Sequence, residues 1–264
     1  SLDGKKFFYE NMLRRAKELP YELCWPLERK EYLSSFCCPP NIARVLAQTS
    51  EYAYTVSKHE VWTGLYGGNT AHIQLENGAD FTLVQTTNYP WDGKITFSFE
   101  EVKNDKEVTL QLRIPHWANS GSVSYVGTTT TLTKEHSESY FPVTVTRLSG
   151  ATVTLVLDMP VRLTVAHPLV EENTNQAAVE RGPLVYCIEG MDTEQETLNG
   201  LLLDPKAELT VEDFTIANRE LKAITGEMLV HKANVSEDTL YTTLEIPELE
   251  KTPVRLVPYF AWDN

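Results

Sequence analysis

The stretch ITFSF at residues 95–99 alternates apolar and polar side chains, and so does VTLQL at residues 108–112. A period of two is typical of a strand that buries one face. The same alternation recurs in VWTGLY, FTLV and TVTLVL, at residues 61–66, 81–84 and 152–157. Turn sequences such as ENG and WDG separate these stretches. Short strands at such regular spacing predict an antiparallel β-sandwich.

The C-terminal part of the chain is also rich in strand signals. The stretches concerned are residues 179–188, 209–214, 227–231, 240–246 and 254–260. A Gly-Pro pair interrupts the first of them, so this strand is expected to be bulged or to lie at a sheet edge. These strands predict a second β-sandwich.

The N-terminal part differs because it lacks the two-residue period. After two consecutive prolines, apolar residues recur at three- and four-residue steps, which predicts a helix that runs to about Tyr54. We therefore divide the chain into residues 1–57, 58–162 and 163–264. The predicted fold class is mostly β, with two antiparallel β-sandwich domains preceded by a short helical segment.

The chain is acidic, with 23 Lys and Arg residues against 37 Asp and Glu residues and a net charge of −14. This balance argues against a face for nucleic acid or for an anionic membrane. No apolar run approaches the roughly 20 residues that cross a bilayer. The first residues, SLDG, resemble no signal peptide and lack an initiator Met, so we expect the chain to begin partway through a larger protein. Its compartment stays open.

Two of the four cysteines, Cys37 and Cys38, are adjacent, and two prolines follow them. Pro40 suits the first turn of a helix, and Pro39 is expected to keep Cys38 on an extended lead-in. A thiol at a helix N-terminus tends to have a lowered pKa. The pair is therefore predicted to supply metal ligands, and one of the two a nucleophile. The alternative is a pair of buried, unreactive thiols.

Several aromatic residues allow two interpretations. They could form a platform on which sugars stack, or they could fill sandwich cores and cover sheet edges. We favour the second interpretation, because aromatic side chains contribute most to cores through their large buried area. The residues concerned are Trp62, Tyr66, Tyr89, Trp91, Trp117 and Trp262.

Six segments together resemble the β-L-arabinofuranosidase family, glycoside hydrolase family 127. They are SLDGKKFFY (1–9), CCPPNIAR (37–44), NYPWDGK (88–94), LRIP (112–115), RGPLVYC (181–187) and PYFAWDN (258–264). Each segment alone is weak evidence for the resemblance, but the six occur in the family's order along the whole chain. The resemblance implies an (α/α)6-barrel catalytic domain followed by β-sandwich domains, with residues 1–57 as the C-terminal remnant of the barrel.

The resemblance also implies a catalytic site. The family holds a zinc ion with one glutamate and three cysteines, two of which correspond to Cys37 and Cys38. By the same correspondence, Cys37 is the nucleophile of a retaining glycosidase that acts on glycans containing arabinofuranosides, and Tyr9 contacts the substrate. The acid/base glutamate, the zinc-binding glutamate and the third cysteine of the family lie upstream of Ser1.

These departures predict that the chain is the C-terminal fragment of a glycosidase. Alone it is expected to be inactive and to bind no zinc, because two thiolates are half of a tetrahedral site. Its barrel-facing surface would favour self-association. The alternative is a non-catalytic pair of β-sandwich modules that supports the barrel or binds glycan.

Overall fold

The computed structural model describes residues 1–10, 12–13, 15, 27–195, 198–231, 241, 243, 246 and 248–264. The chain forms two compact units. The helix-bearing unit consists of Ser35–Pro160, and the terminal unit consists of Ser1–Ser34 together with Val161–Asn264.

The helix-bearing unit begins with helix α1 (Cys38–Ala47) and a 3-10 turn (Thr49–Tyr52). Its strands are β1 (Tyr54–Ser57), β2 (Glu60–Thr63), β3 (Asn69–Gln74), β4 (Asp80–Thr87), β5 (Lys94–Asn104), β6 (Val108–Ile114), β7 (Gly121–Tyr125), β8 (Thr128–Leu132), β9 (Ser139–Val145) and β10 (Thr152–Leu157). One sheet has the order β1-β2-β6-β9 and the other the order β3-β4-β5-β10-β7-β8. Pairing within this unit is antiparallel except between β2 and β6.

The core of the helix-bearing unit follows from the alternation in the sequence. Ile95, Phe97 and Phe99 of β5 are buried, and the residues between them are only half-buried. Leu110 and Leu112 of β6 are fully buried in the same cluster, although β6 belongs to the other sheet. Two sheets that share one apolar core form a sandwich, which confirms the predicted fold class.

The terminal unit contains the remaining strands. They are β11 (Val161–Val165), β12 (Ala177–Arg181), β13 (Leu184–Cys187), β14 (Leu201–Leu202), β15 (Thr210–Ile216), β16 (Arg219–His231) and β17 (Leu249–Pro258). The sheet order is β11-β12-β13-β17-β16-β14, with β15 paired to β16, and these pairs are antiparallel. Its core includes Val179, Tyr186, Ile224 and Leu256. The antiparallel β architecture of this part is confirmed.

One strand differs from the sequence-based expectations, and another lies largely outside the described residues. The expected single strand at residues 179–188 is a hairpin of β12 and β13, because Gly182 adopts a φ of 55° and turns the chain. Residues 201–202 form the short strand β14 and pair with β16. The expected strand at residues 240–246 lies largely outside the described residues.

Helix α1 is shorter than predicted. It ends at Ala47 and not near Tyr54, because Gln48 has a ψ of −1° and its N–H also bonds to the carbonyl of Val45, three residues back, so the chain tightens into the 3-10 turn. From Tyr54 onward the chain pairs with β2 as strand β1. Strand pairing therefore overrides the helical spacing of the preceding residues. Among the residues that the structure describes, no helix is long and apolar enough to span a membrane.

Gly93 is a buried position where the chain tolerates no side chain. A Cβ atom at this residue would lie 1.9 Å from the carbonyl oxygen of Leu157, which is backbone and cannot rotate away. We expect Gly93→Ala to lower the free energy of unfolding by about 1–3 kcal/mol, the usual cost of overpacking. Urea unfolding followed by tryptophan fluorescence measures the change.

The matched control is Gly67→Ala. A Cβ atom at Gly67 has no atom within 4 Å, so this variant should unfold within about 0.5 kcal/mol of the unmodified chain. Equal stability of the two variants would contradict the predicted close approach of residues 93 and 157.

Candidate functional site

The start of α1 carries the two adjacent cysteines. Cys38 is the first helical residue, and Cys37 precedes it with a φ of −97° and a ψ of −51°. Both the N–H and the side-chain amide of Asn41 donate to the carbonyl of Cys37, at 3.3 and 2.9 Å. The expected extended lead-in is therefore wrong. These hydrogen bonds close the first turn and hold residue 37 in the right-handed helical region, although Pro39 disfavours that region for Cys38.

The helical backbone brings the two sulfur atoms together. The Sγ atoms of Cys37 and Cys38 lie 3.4 Å apart, and the Oγ of Ser35 lies 3.5 Å from the Sγ of Cys37. Both cysteines are exposed and carry thiols that are not joined in a disulfide. The alternative of a buried pair therefore does not describe this structure.

The surroundings of Cys37 favour its thiolate form. The hydrogen bond with Ser35 is the largest cause that lowers the pKa of Cys37, and the contact with Cys38 is the next. The position at a helix N-terminus acts in the same direction, because the dipole favours negative charge there. Sequence reasoning missed Ser35. Its only signal is a hydroxyl residue two positions before the pair, which is common near helix starts.

The geometry of the pair suits a shared metal ion. Zinc binds thiolates at about 2.3 Å, so two sulfurs of a tetrahedral site lie about 3.8 Å apart. The sulfurs of Cys37 and Cys38 are 3.4 Å apart and need only a small side-chain rotation to reach that separation. Within the described residues, no group of three or more His, Cys, Asp and Glu side chains could hold a metal. The two sulfurs alone could supply two ligands of such a site.

The helix beside the sulfurs has an uncovered apolar surface, which we name the α1 apolar stripe. No residue of α1 is buried. The stripe consists of Phe36, Ile42, Val45 and Leu46, whose exposed fractions are 89%, 63%, 51% and 69%. An amphipathic helix normally buries such residues against a partner. The stripe and the thiol pair both lie within residues 36–46, of which Phe36 and Cys37 precede α1.

The third residue expected at the site, Tyr9, lies in the terminal unit and is half-buried. The structure thus brings Cys37 and Cys38 together and places Tyr9 in a separate compact unit. Of the other cysteines, Cys24 lies outside the described residues. Cys187 is half-buried, and burial raises the pKa of its thiol to about 12, with Glu189 and Asp192 acting in the same direction.

The aromatic residues mostly serve packing, as favoured from the sequence. Tyr66 and Trp117 are buried, with exposed fractions of 8% and 5%. Tyr89 lies between them, with ring centroids 5.9 Å from Tyr66 and 6.5 Å from Trp117. Trp262 stacks on Phe8 within the terminal unit. These four rings make contacts within the fold.

Two family profiles match the chain. The "Beta-L-arabinofuranosidase, GH127 middle domain" profile matches residues 60–159, and the "Glycoside hydrolase family 127 C-terminal domain" profile matches residues 161–264. A non-reducing end beta-L-arabinofuranosidase from Bifidobacterium longum subsp. longum is 31% identical over 281 aligned residues. The alignment covers 100% of this chain and 41% of that relative.

Solved structures agree with the sequence comparison. A protein described as a glycoside hydrolase is 39% identical with a TM-score of 0.91, and the match covers 100% of this chain and 43% of that one. A β-L-arabinofuranosidase from Geobacillus stearothermophilus is 32% identical with a TM-score of 0.86, covering 100% and 41%. The chain spans about two fifths of the length of these relatives. The chain is a member of glycoside hydrolase family 127, the β-L-arabinofuranosidase family, and contains its middle and C-terminal domains.

Proposed function

We propose that this chain is the thiolate-bearing part of a retaining glycoside hydrolase that acts on β-L-arabinofuranosides, with Cys37 as the nucleophile. The observation that carries the proposal is the exposed Cys37–Cys38 pair, with sulfurs 3.4 Å apart at the start of a helix. Membership of the family supports the substrate class, because its matched relatives are named β-L-arabinofuranosidases.

The proposed chemistry uses the thiolate of Cys37 in two displacements. The sulfur attacks the anomeric carbon, and the bond from that carbon to the leaving oxygen breaks as the carbon–sulfur bond forms. A carboxylic acid protonates the leaving oxygen, and the resulting carboxylate then removes a proton from water that displaces the sulfur. Two inversions at one carbon retain its configuration. The resemblance assigns the carboxyl group to the part of the family that lies upstream of Ser1.

Cys37 and Cys38 would together hold a zinc ion, with the remaining ligands supplied by that upstream part. When bound, zinc keeps thiols deprotonated near neutral pH. In this chain, Ser35 already favours the thiolate, because its hydrogen bond lowers the pKa of Cys37. Cys38 contributes a second sulfur on the same side of the helix start. Tyr9 would contact the sugar.

The proposal requires a longer protein than these 264 residues. The chain covers 41–43% of the length of the relatives, and the first of the two family profiles matches from residue 60 onward. Residues 1–57 would complete the helical catalytic domain, followed by β-sandwiches at 58–162 and 163–264. In the longer protein, further helices would pack against the α1 apolar stripe and remove its side chains from water.

Replacement of Cys37 tests the proposed role directly. In the full-length protein, Cys37→Ser should lower kcat on an aryl β-L-arabinofuranoside at least about a thousandfold, because the alcohol is a much weaker nucleophile than a thiolate. Cys187→Ser is the matched control, since Cys187 lies in the terminal unit and its thiol pKa is raised. Undiminished turnover by Cys37→Ser would remove this residue from the mechanism.

Thiol labelling tests the predicted accessibility of the pair in the 264-residue chain. A raised pKa keeps Cys187 protonated until the pH approaches about 12, so iodoacetamide at about pH 7 should spare it. Cys37 and Cys38 are exposed and the pKa of Cys37 is lowered, so they should react first. Peptide mass mapping separates the sites.

The control for labelling is the same reaction in guanidinium chloride. Unfolding should remove the difference between the pair and Cys187, because the burial that raises the pKa of Cys187 is lost. Equally rapid labelling of Cys187 in the native chain would contradict the predicted exposure of the Cys37–Cys38 pair and the raised pKa of Cys187.

A further inference from the structure

Phe8, the residue before Tyr9, lies in a stack of flat side chains in the terminal unit. The rings of Phe8 and Trp262 have centroids 4.6 Å apart and are inclined by only 12°. Tyr259 continues the stack, with its ring 6.2 Å from that of Trp262 and inclined by 14°. The guanidinium carbon of Arg29 lies 4.7 Å from the Phe8 centroid. The Phe8 ring thus lies between Arg29 and Trp262, and aromatic and cation–π contacts of this kind fix the plane of that ring.

Arg29 also anchors the residues that carry Trp262. Its guanidinium donates to the carbonyl of Trp262 at 2.7 and 3.2 Å and to the carbonyl of Phe260 at 3.2 Å. Its backbone N–H donates to the carboxylate of Asp263 at 3.4 Å. The guanidinium of arginine presents its donors in a rigid plane, so these bonds fix both the position and the orientation of the Trp262 backbone.

Further bonds tie the two chain ends on both sides of Tyr9. The N–H of Leu2 donates to the side-chain oxygen of Asn264 at 2.7 Å. The hydroxyl of Tyr259 donates to the carbonyl of Met12 at 2.6 Å. Tyr9 is therefore flanked at residues 2, 8 and 12 by contacts with residues 259–264. We name residues 258–264, which comprise these six residues and Pro258, the C-terminal clamp.

The C-terminal clamp is itself fixed to the sheet of the terminal unit. Its first residue, Pro258, ends β17 and is paired with Tyr186 of β13. The N–H of Asp263 donates to the carboxylate of Glu189, two residues beyond β13, at 2.8 Å. The C-terminal clamp thus connects the sheet to the segment that contains Tyr9.

We propose that Trp262 is a positioning residue for Tyr9, and that the C-terminal clamp thereby sets the affinity of the enzyme for its sugar. This inference rests on the proposed function, in which Tyr9 contacts the substrate. Trp262 acts through Phe8, whose ring it holds one residue from Tyr9. Loss of the indole ring frees Phe8 and moves the Tyr9 side chain away from its binding position. The thiol pair belongs to the other unit and keeps its local geometry.

Kinetics of the full-length protein test the inference. Trp262→Ala should raise KM on an aryl β-L-arabinofuranoside about tenfold with little change in kcat, because it removes binding made equally in the ground and transition states. Trp262→Phe keeps a ring for Phe8 to stack on and should restore most of the affinity. In a Tyr9→Phe background, Trp262→Ala should add little, since coupled residues are not additive. Independent, multiplicative effects of Tyr9→Phe and Trp262→Ala on KM would overturn the inference.

Amide hydrogen exchange gives a second readout that needs no activity. Trp262→Ala should speed exchange of the backbone amides at residues 7–10, whereas β12 should keep its protection, because its strand pairing is untouched. Arg29→Lys keeps the charge but loses the planar fork, so it should show a smaller change in the same direction. Unchanged exchange at residues 7–10 in Trp262→Ala would overturn the positioning role.

The two readouts separate this inference from the proposed function. An unmodified full-length protein that does not hydrolyse the arabinofuranoside would refute the proposed function, and exchange at residues 7–10 would still decide whether Trp262 holds the segment. An active protein with the same KM in Trp262→Ala would leave the proposed function standing and refute the positioning role.

Discussion

The helical backbone conformation of Cys37 is the constraint on which the candidate site depends. Along an extended chain, neighbouring side chains point to opposite sides, so an extended pair would hold its sulfurs apart. Two hydrogen bonds from Asn41 keep the carbonyl of Cys37 in the first helical turn, and the sulfurs of Cys37 and Cys38 then lie 3.4 Å apart. The backbone of a single residue thus brings two adjacent thiols side by side.

Much of the fold was predictable because the period of two is a local property of each strand. The alternation at residues 95–99 and 108–112 identifies buried positions that the structure places in one core. The end of α1 was not predictable in the same way. Apolar spacing continues past Ala47, but the chain from Tyr54 pairs with β2, and such pairing depends on residues that follow later in the chain. The hairpin at Gly182 was also not predictable from neighbouring residues alone, because a Gly-Pro pair is compatible with a bulge as well as with a turn.

The site was predictable in part. Adjacent cysteines before two prolines indicate a helix start, and that inference needs only neighbouring residues. The stack of Phe8 and Trp262 joins residues far apart in the sequence, as does the bond from Arg29 to Trp262, which are 233 positions apart. Sequence spacing carries no signal for such contacts. The family segments SLDGKKFFY and PYFAWDN contain both sides of the stack, and only the structure shows that they touch.

We propose that the thiol pair is one half of a metal–thiolate site that a longer protein completes. X-ray absorption at the zinc edge of the full-length protein tests this proposal most directly. We predict zinc with sulfur neighbours at about 2.3 Å, and fewer of them when Cys37 and Cys38 are both replaced by serine. A zinc spectrum that is unchanged by that double replacement, or a fully active protein that contains no metal, would contradict it.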